Sequence, residues 1–128
     1  MKEIVIVDDE PLLLNLLRRI LQEAGYDVVV AATAADALER IRQREPELLI
    51  CDVFMQNMDG LELIQNAKKL CVGQKIIAMS GGSMSVTPAV VREWSLLLGV
   101  VGFLKKPFSR QDVLTEVERV IGAAGHPG

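Results

Sequence analysis

Three acidic residues, a serine-glycine turn and a lysine are spaced along the chain so that each closes or follows a short apolar run. Asp8-Asp9 follow EIVIV, Asp52 follows LLIC, Ser80-Gly81-Gly82 follow IIAM, and Lys106-Pro107 follow GFLK. Carboxylates brought together repel and raise each other's pKa values unless a cation joins them. An all-oxygen set with room for water and phosphate oxygens suits Mg2+. Softer ligands are missing: Cys51 and Cys71 form no CxxC pair, and the single histidine is His126, in the tail. That excludes a zinc cluster and a Cys-His nucleophile. A carboxylate beside Mg2+ can attack phosphorus and become an acyl phosphate, and Asp52, held at the end of an apolar run, is the candidate nucleophile. The spread negative charge of a transferred phosphoryl group calls for a cation and hydrogen-bond donors. Lys106 supplies the first, and the Ser80 hydroxyl and the Gly81 backbone N–H supply the second. Taken singly, Asp8-Asp9 also fits a helix cap or a solvated pair, and Lys106 and Ser80 fit ordinary surface positions; only as a set do they point to a site.

The elements that must position these residues are legible in the hydrophobic pattern. A chain of 128 residues, 50% hydrophobic and with net charge −3, has the size of one domain, large enough to fold without a disulfide or structural metal. The candidate strands Ile4–Val7, Val28–Ala31, Leu48–Cys51, Ile76–Met79 and Val100–Leu104 are solidly apolar, the mark of strands covered on both faces. The stretches between them have helical periodicity. Strict alternation predicts an α/β architecture, a doubly wound five-stranded parallel sheet with five helices packed on its two faces. Pro11 suits the first turn of a helix that Gly25 follows, and Thr33/Asp36 and Ser109/Asp112 have capping-box spacing. The polar stretch GGSMSVTP precedes a fourth helix near Pro88, which Gly99 closes. The inward stripes are Leu13, Leu17, Ile20, Leu21 and Ala24 on the first helix, Val90, Val91, Trp94, Leu97 and Leu98 on the fourth, and Val113, Leu114, Val117, Val120 and Ile121 on the last. In such a sheet ligands gather outside the carboxyl ends of the strands, where Asp8, Asp9, Asp52, Ser80 and Lys106 all fall.

The ordered set Asp8-Asp9, CDVFMQNMDG (Cys51 to Gly60), Ser80-Gly81-Gly82 and FLKKPF (Phe103 to Phe108) resembles the receiver domain of two-component response regulators, of the chemotaxis-receiver kind. The resemblance covers almost the whole chain. It implies a flavodoxin-like sheet in the order 2-1-3-4-5, with residues 1–122 forming the receiver and 123–128 a flexible tail. It implies that Asp52 is the phosphoacceptor, that Asp9, Asp52 and the Phe54 backbone carbonyl hold Mg2+ (for which Mn2+ substitutes), and that Asp8 acts through a metal-bound water. Lys106 and Gly81 would bind the phosphoryl oxygens, and the Lys106-Pro107 peptide would be cis. Ser80 and Phe103 would form the switch pair, the hydroxyl moving to the phosphoryl group and the ring turning inward, so that the face made by the fourth helix, fifth strand and fifth helix changes. The implied partners are a histidine kinase or histidine phosphotransfer protein and a downstream effector. The chain would be a signalling domain with self-directed phosphotransfer and autodephosphorylation, not a turnover enzyme, and a monomer or weak dimer.

Departures and leftovers sharpen the expectations. Gln56 stands where many receivers have proline, and bulky Phe54 is expected to shield the acyl phosphate from water. Leu12 and Leu16 flank the acidic site on the first helix, fitting either donor docking or peripheral packing; Leu96 is left over on the fourth helix as a partner or dimer contact. Two other readings stand beside the receiver: a phosphorylation-independent interaction module, and an aspartate-nucleophile phosphatase. The second lacks the acid required two positions past the nucleophile, where Phe54 sits. No GxxxxGK[ST] surrounds Gly81, so a P-loop is not expected. The acidic balance, with no long basic run, argues against direct nucleic-acid binding. The longest apolar run, Leu96 to Leu104, carries two glycines and is too short for a bilayer. No secretory signal precedes Asp8, so a cytoplasmic location is expected.

Overall fold

The Ile- and Val-rich runs form strands for the reason their composition gives: β-branched side chains, stiff at χ1, pack well on a pleated surface covered from both sides. The computed structural model describes residues 2–55, 58–81 and 87–124. In chain order the elements are β1 (Glu3–Val7), α1 (Pro11–Glu23), β2 (Asp27–Ala31), α2 (Ala34–Gln43), β3 (Leu48–Asp52), β4 (Phe54–Met55), β5 (Met58–Asp59), α3 (Gly60–Leu70), β6 (Ile76–Ser80), α4 (Pro88–Leu98), β7 (Gly102–Lys105) and α5 (Arg110–Ile121). The main sheet has the order β2-β1-β3-β6-β7, parallel throughout. This is the expected 2-1-3-4-5 arrangement of five strands and five helices. The small antiparallel pair β4–β5, with Phe54 opposite Asp59 and Met55 opposite Met58, was not expected; two-residue strands are too short to leave a periodic signal.

Alternation along the strands divides the interior in two. Ile4, Ile6, Leu48 and Ile50 pack with α1 and α5, whereas Val5, Val7, Leu49 and Cys51 pack with α2 and α3. The central strands β1, β3 and β6 are buried at every residue. The edge strands depart from expectation: Val29 and Val30 on β2 and Phe103 on β7 are only half-buried, because an edge strand has a neighbour on one side alone. The caps follow the sequence closely. Thr33 accepts from Asp36 N at 3.1 Å, and Ser109 and Asp112 complete a reciprocal box at 3.0 and 2.9 Å. Thr87 caps α4 by accepting from Val90 N at 3.2 Å. Gly99 ends α4 at φ +70°, a left-handed conformation that glycine adopts without Cβ strain.

Two assignments need correction. On α1 Leu14, which the reading left out, joins Leu17, Ile20 and Leu21 in the buried stripe, while Leu13 and Ala24 are half-buried and pack against its edge. On α4, Leu97 is 74% exposed beside Leu96 at 78%. That helix meets the interior through Trp94 and Leu98, one turn apart, and adjacent residues on a helix point about 100° apart. Beyond α5, within the segment expected as a tail, Ala124 is buried. Lys2 Nζ donates to Ile121 O at 2.5 Å and Tyr26 Oη donates to Gly122 O at 2.8 Å, which fixes the end of α5 and returns Ala124 to the α1/α5 side of the interior. Residues 125–128, Gln56, and most of the polar stretch before α4 lie outside the described residues. Among the described residues no helix is long and apolar enough to cross a membrane.

Candidate functional site

β1 ends at Val7 and delivers Asp8, fully buried, to the carboxyl edge of the sheet. The Asp8 carboxylate has two jobs. Oδ1 accepts from Glu10 N at 3.0 Å, an Asx-type turn that bends the chain into α1, and Oδ2 accepts from Lys106 Nζ, also at 3.0 Å. β3 ends on Asp52, 4% exposed, whose Oδ2 lies 2.5 Å from the same ammonium. Glu10 Oε1 is third, at 3.5 Å. Oxygens of Asp8, Glu10 and Asp52 all lie within 4.8 Å of one another. One lysine therefore stands among three carboxylates contributed by two strand ends and the turn that follows one of them.

Lys106 reaches this position because β7 runs beside β6: Lys106 N donates to Ser80 O at 2.6 Å, and the Lys106-Pro107 peptide is cis, as the resemblance implied. The lysine stem passes directly over Gly81, where an added Cβ would come within 2.8 Å of Lys106 Cδ. The floor of the site is equally close. A Cβ on Gly60, the first residue of α3, would sit 2.7 Å from Val53 Cα, so glycine is needed where α3 begins against the backbone just past Asp52.

The electrostatics follow from burial and neighbours. Burial pushes the Asp8 carboxyl up to about 6, against the pull of Lys106 and of the Glu10 N–H. Burial also works against the Lys106 charge, but hydrogen bonds to Asp52 and Asp8 more than compensate and hold the ammonium well above its ordinary value. The Cys51 thiol, buried beneath the site and donating to Asp52 O at 3.3 Å, is pushed far up by burial and then by Asp52 and Asp8; it stays neutral and takes no part in nucleophilic chemistry. Two buried carboxylates and a nearby third, offset by one ammonium, form a net-negative all-oxygen pocket whose donors fit a hard divalent cation such as Mg2+.

The structure brings together Asp8, Asp52, Lys106, Ser80 and Gly81. Ser80, 4% exposed, is the last residue of β6, paired in register with Lys105. Asp9, half-buried, follows Asp8; the three carboxylates whose oxygens are mutually close are Asp8, Glu10 and Asp52. The reading of the sequence missed Glu10, although the run Asp8-Asp9-Glu10 past a strand end was the available signal. The Phe54 backbone begins β4 two residues past Asp52, and its side chain, expected as a shield, lies outside the described residues. Phe103 is half-buried on β7. Its ring stacks on Trp94 of α4, centroids 6.0 Å apart and 28° between planes, and its N–H donates to Glu116 of α5 at 2.7 Å. Leu12 is 85% exposed and Leu16 47%; Leu16 joins Glu10, Leu13, Lys106, Pro107 and Phe108 in a groove that opens beside the acidic pocket.

Comparison with known proteins agrees with this geometry. A family model described as the response regulator receiver domain matches residues 4–118. The alkaline phosphatase synthesis transcriptional regulatory protein PhoP of Bacillus subtilis is 28% identical over 94% of this chain and 48% of its own length. The nitrogen assimilation regulatory protein NtrX of Azorhizobium caulinodans is 32% identical over 93% of this chain and 26% of its own. The chain thus spans about half or less of these relatives. Among solved structures, a CheY-like receiver domain protein from Methanospirillum hungatei superposes with a TM-score of 0.81 at 32% identity, covering 93% of this chain and 92% of that one.

Proposed function

The chain belongs to the response regulator receiver domain family, and from that premise we propose that it is a phosphoacceptor in which Asp52 takes a phosphoryl group from a histidine kinase or histidine phosphotransfer protein. The observation that carries the reading is the Lys106 ammonium lying 2.5 Å from Asp52 Oδ2 and 3.0 Å from Asp8 Oδ2 at the carboxyl edge of the sheet. In the reaction an Asp52 carboxylate oxygen forms a bond to phosphorus as the donor's phosphorus–nitrogen bond breaks, the electron pair leaving with the imidazole. Lys106 then transfers its hydrogen bond from the Asp52 oxygen to the phosphoryl group, and the Ser80 hydroxyl and Gly81 N–H donate to the remaining oxygens. Asp9, Asp52 and the Phe54 carbonyl would hold Mg2+ or Mn2+, with Asp8 acting through a water. The bound ion supplies the positive charge that three phosphoryl oxygens need.

Burial shields the Asp52–Lys106 pair from bulk water, so the attacking carboxylate is held in position before the donor arrives. Leu16, in the groove that leads to Lys106, and the exposed Leu12 on the same helix form the docking surface for the donor protein. Drawing Ser80 toward the new phosphoryl group opens space that Phe103 enters, and the change passes to the face of α4, β7 and α5, where the exposed Leu96 contacts a downstream effector or a second copy. The domain signals from the cytoplasm and returns to its starting state by its own dephosphorylation. Incubation with Mg2+ and acetyl phosphate followed by intact mass measurement tests this. One phosphoryl group is expected on wild type and none on Asp52→Asn; no gain on wild type, from acetyl phosphate or from a histidine kinase, overturns the reading.

A further inference from the structure

Glu10 has no role in the scheme above, yet its carboxylate shares one cluster with those of Asp8 and Asp52. Its Oε1 is 3.5 Å from Lys106 Nζ, and its carboxylate is within 4.8 Å of both Asp8 and Asp52. Unlike them it is largely exposed, its side chain 64% accessible, and it forms part of the wall of the apolar groove that opens beside the pocket. Its position is fixed by the turn in which Asp8 Oδ1 receives the Glu10 N–H. A third negative charge at the mouth of the pocket acts in opposite directions on the two things that must enter. It attracts a divalent cation and repels a phosphodonor according to the donor's charge.

We propose that Glu10 is a specificity-determining residue, strengthening divalent-cation binding while holding back dianionic small phosphodonors. The inference rests on the phosphoacceptor reading of Asp52. In the transfer that Glu10 opposes, an Asp52 oxygen bonds to phosphorus while the phosphorus–oxygen bond of acetyl phosphate breaks, acetate leaving with the electron pair. A free dianion entering the pocket meets the Glu10 charge directly, so selection by donor charge falls on this side chain.

The test uses the intact chain and Glu10→Gln, which keeps the shape and removes the charge. Isothermal titration with MgCl2 is expected to show about fivefold weaker binding in Glu10→Gln at moderate ionic strength. At saturating Mg2+, phosphorylation by acetyl phosphate, a dianion, is expected to be about threefold faster than in wild type, and by the monoanion phosphoramidate measurably less accelerated. Both differences should shrink as salt is raised. Unchanged Mg2+ affinity, a slower reaction with acetyl phosphate, or equal acceleration with both donors each overturns the proposal. Failure of the underlying reading looks different: wild type then gains no phosphoryl group from either donor, whatever the Mg2+ titration shows.

Discussion

At the scale of single residues, Lys106 holds the pocket together. Its ammonium contacts two carboxylates that are 0% and 4% exposed, so removing it leaves buried negative charge without a partner, a loss that typically costs about 3 kcal/mol or more. Lys106→Met is therefore expected to unfold at lower urea, by about 3 kcal/mol in metal-free buffer, with part of the loss restored by saturating Mg2+. A variant as stable as wild type without metal would mean that Lys106 does not compensate the pair. The residues of the pocket that were legible in the sequence share one property: each ends or follows an apolar run that had to become a strand. Glu10 lacks it. It lies past the strand, on an exposed turn held by its N–H to the Asp8 side chain and its carbonyl to Leu14 N.

At the scale of elements, the sheet was legible because solid apolar strands leave little choice of topology, and the caps because they are local chemistry. What could not be read is how far each helix is rotated against the sheet. Leu13, Leu14 and Leu97 are all apolar, and whether each meets a neighbour depends on tertiary placement that periodicity leaves undetermined to within one residue. Two contacts between elements carry predictions. α3 starts against the chain past Asp52, so a methyl at Gly60 has no space; Gly60→Ala is expected to lose about 2 kcal/mol by overpacking, read from the urea midpoint, and an unchanged midpoint would show that the start of α3 yields. α5 is tied to edge strand β7 by Glu116, which accepts from Phe103 N at 2.7 Å and pairs with Arg119. Burial alone would raise the Glu116 carboxyl, but the bonds from Arg119 and Phe103 N–H outweigh it and leave it below the ordinary glutamate value. A depressed carboxylate favours the folded state above its unfolded pKa, and that contribution is lost as the pH falls through the folded one. Glu116→Gln should be about 1 kcal/mol less stable than wild type near neutrality, with the difference vanishing in acid below the glutamate range. A difference that stays constant with pH would assign the loss to packing instead of charge.

At the scale of the whole molecule, the proposed phosphorylation of Asp52 can signal only if the change reaches a surface that a partner can read. The shortest physical route runs through β7. Phe103 lies on the strand whose end carries Lys106; its N–H ties that strand to α5 through Glu116, and its ring stacks on Trp94 of α4. A packed interior shifts between discrete arrangements more readily than it tolerates a gap, so a Phe103 ring drawn inward must leave Trp94 or carry it along. Trp94 is the only tryptophan in the sequence, which makes its emission a direct report on this contact. Phosphorylation with Mg2+ and acetyl phosphate is expected to change the intensity or wavelength of that emission in wild type, with no change in Asp52→Asn. Phe103→Leu should still gain the phosphoryl group by mass, yet lose most of the fluorescence response, because the ring that Trp94 reports on is gone. Unaltered emission in a wild-type sample whose phosphorylation is established by mass would sever the route through β7, and the change at Asp52 would then have to reach the surface by way of α3 or the turn after β1.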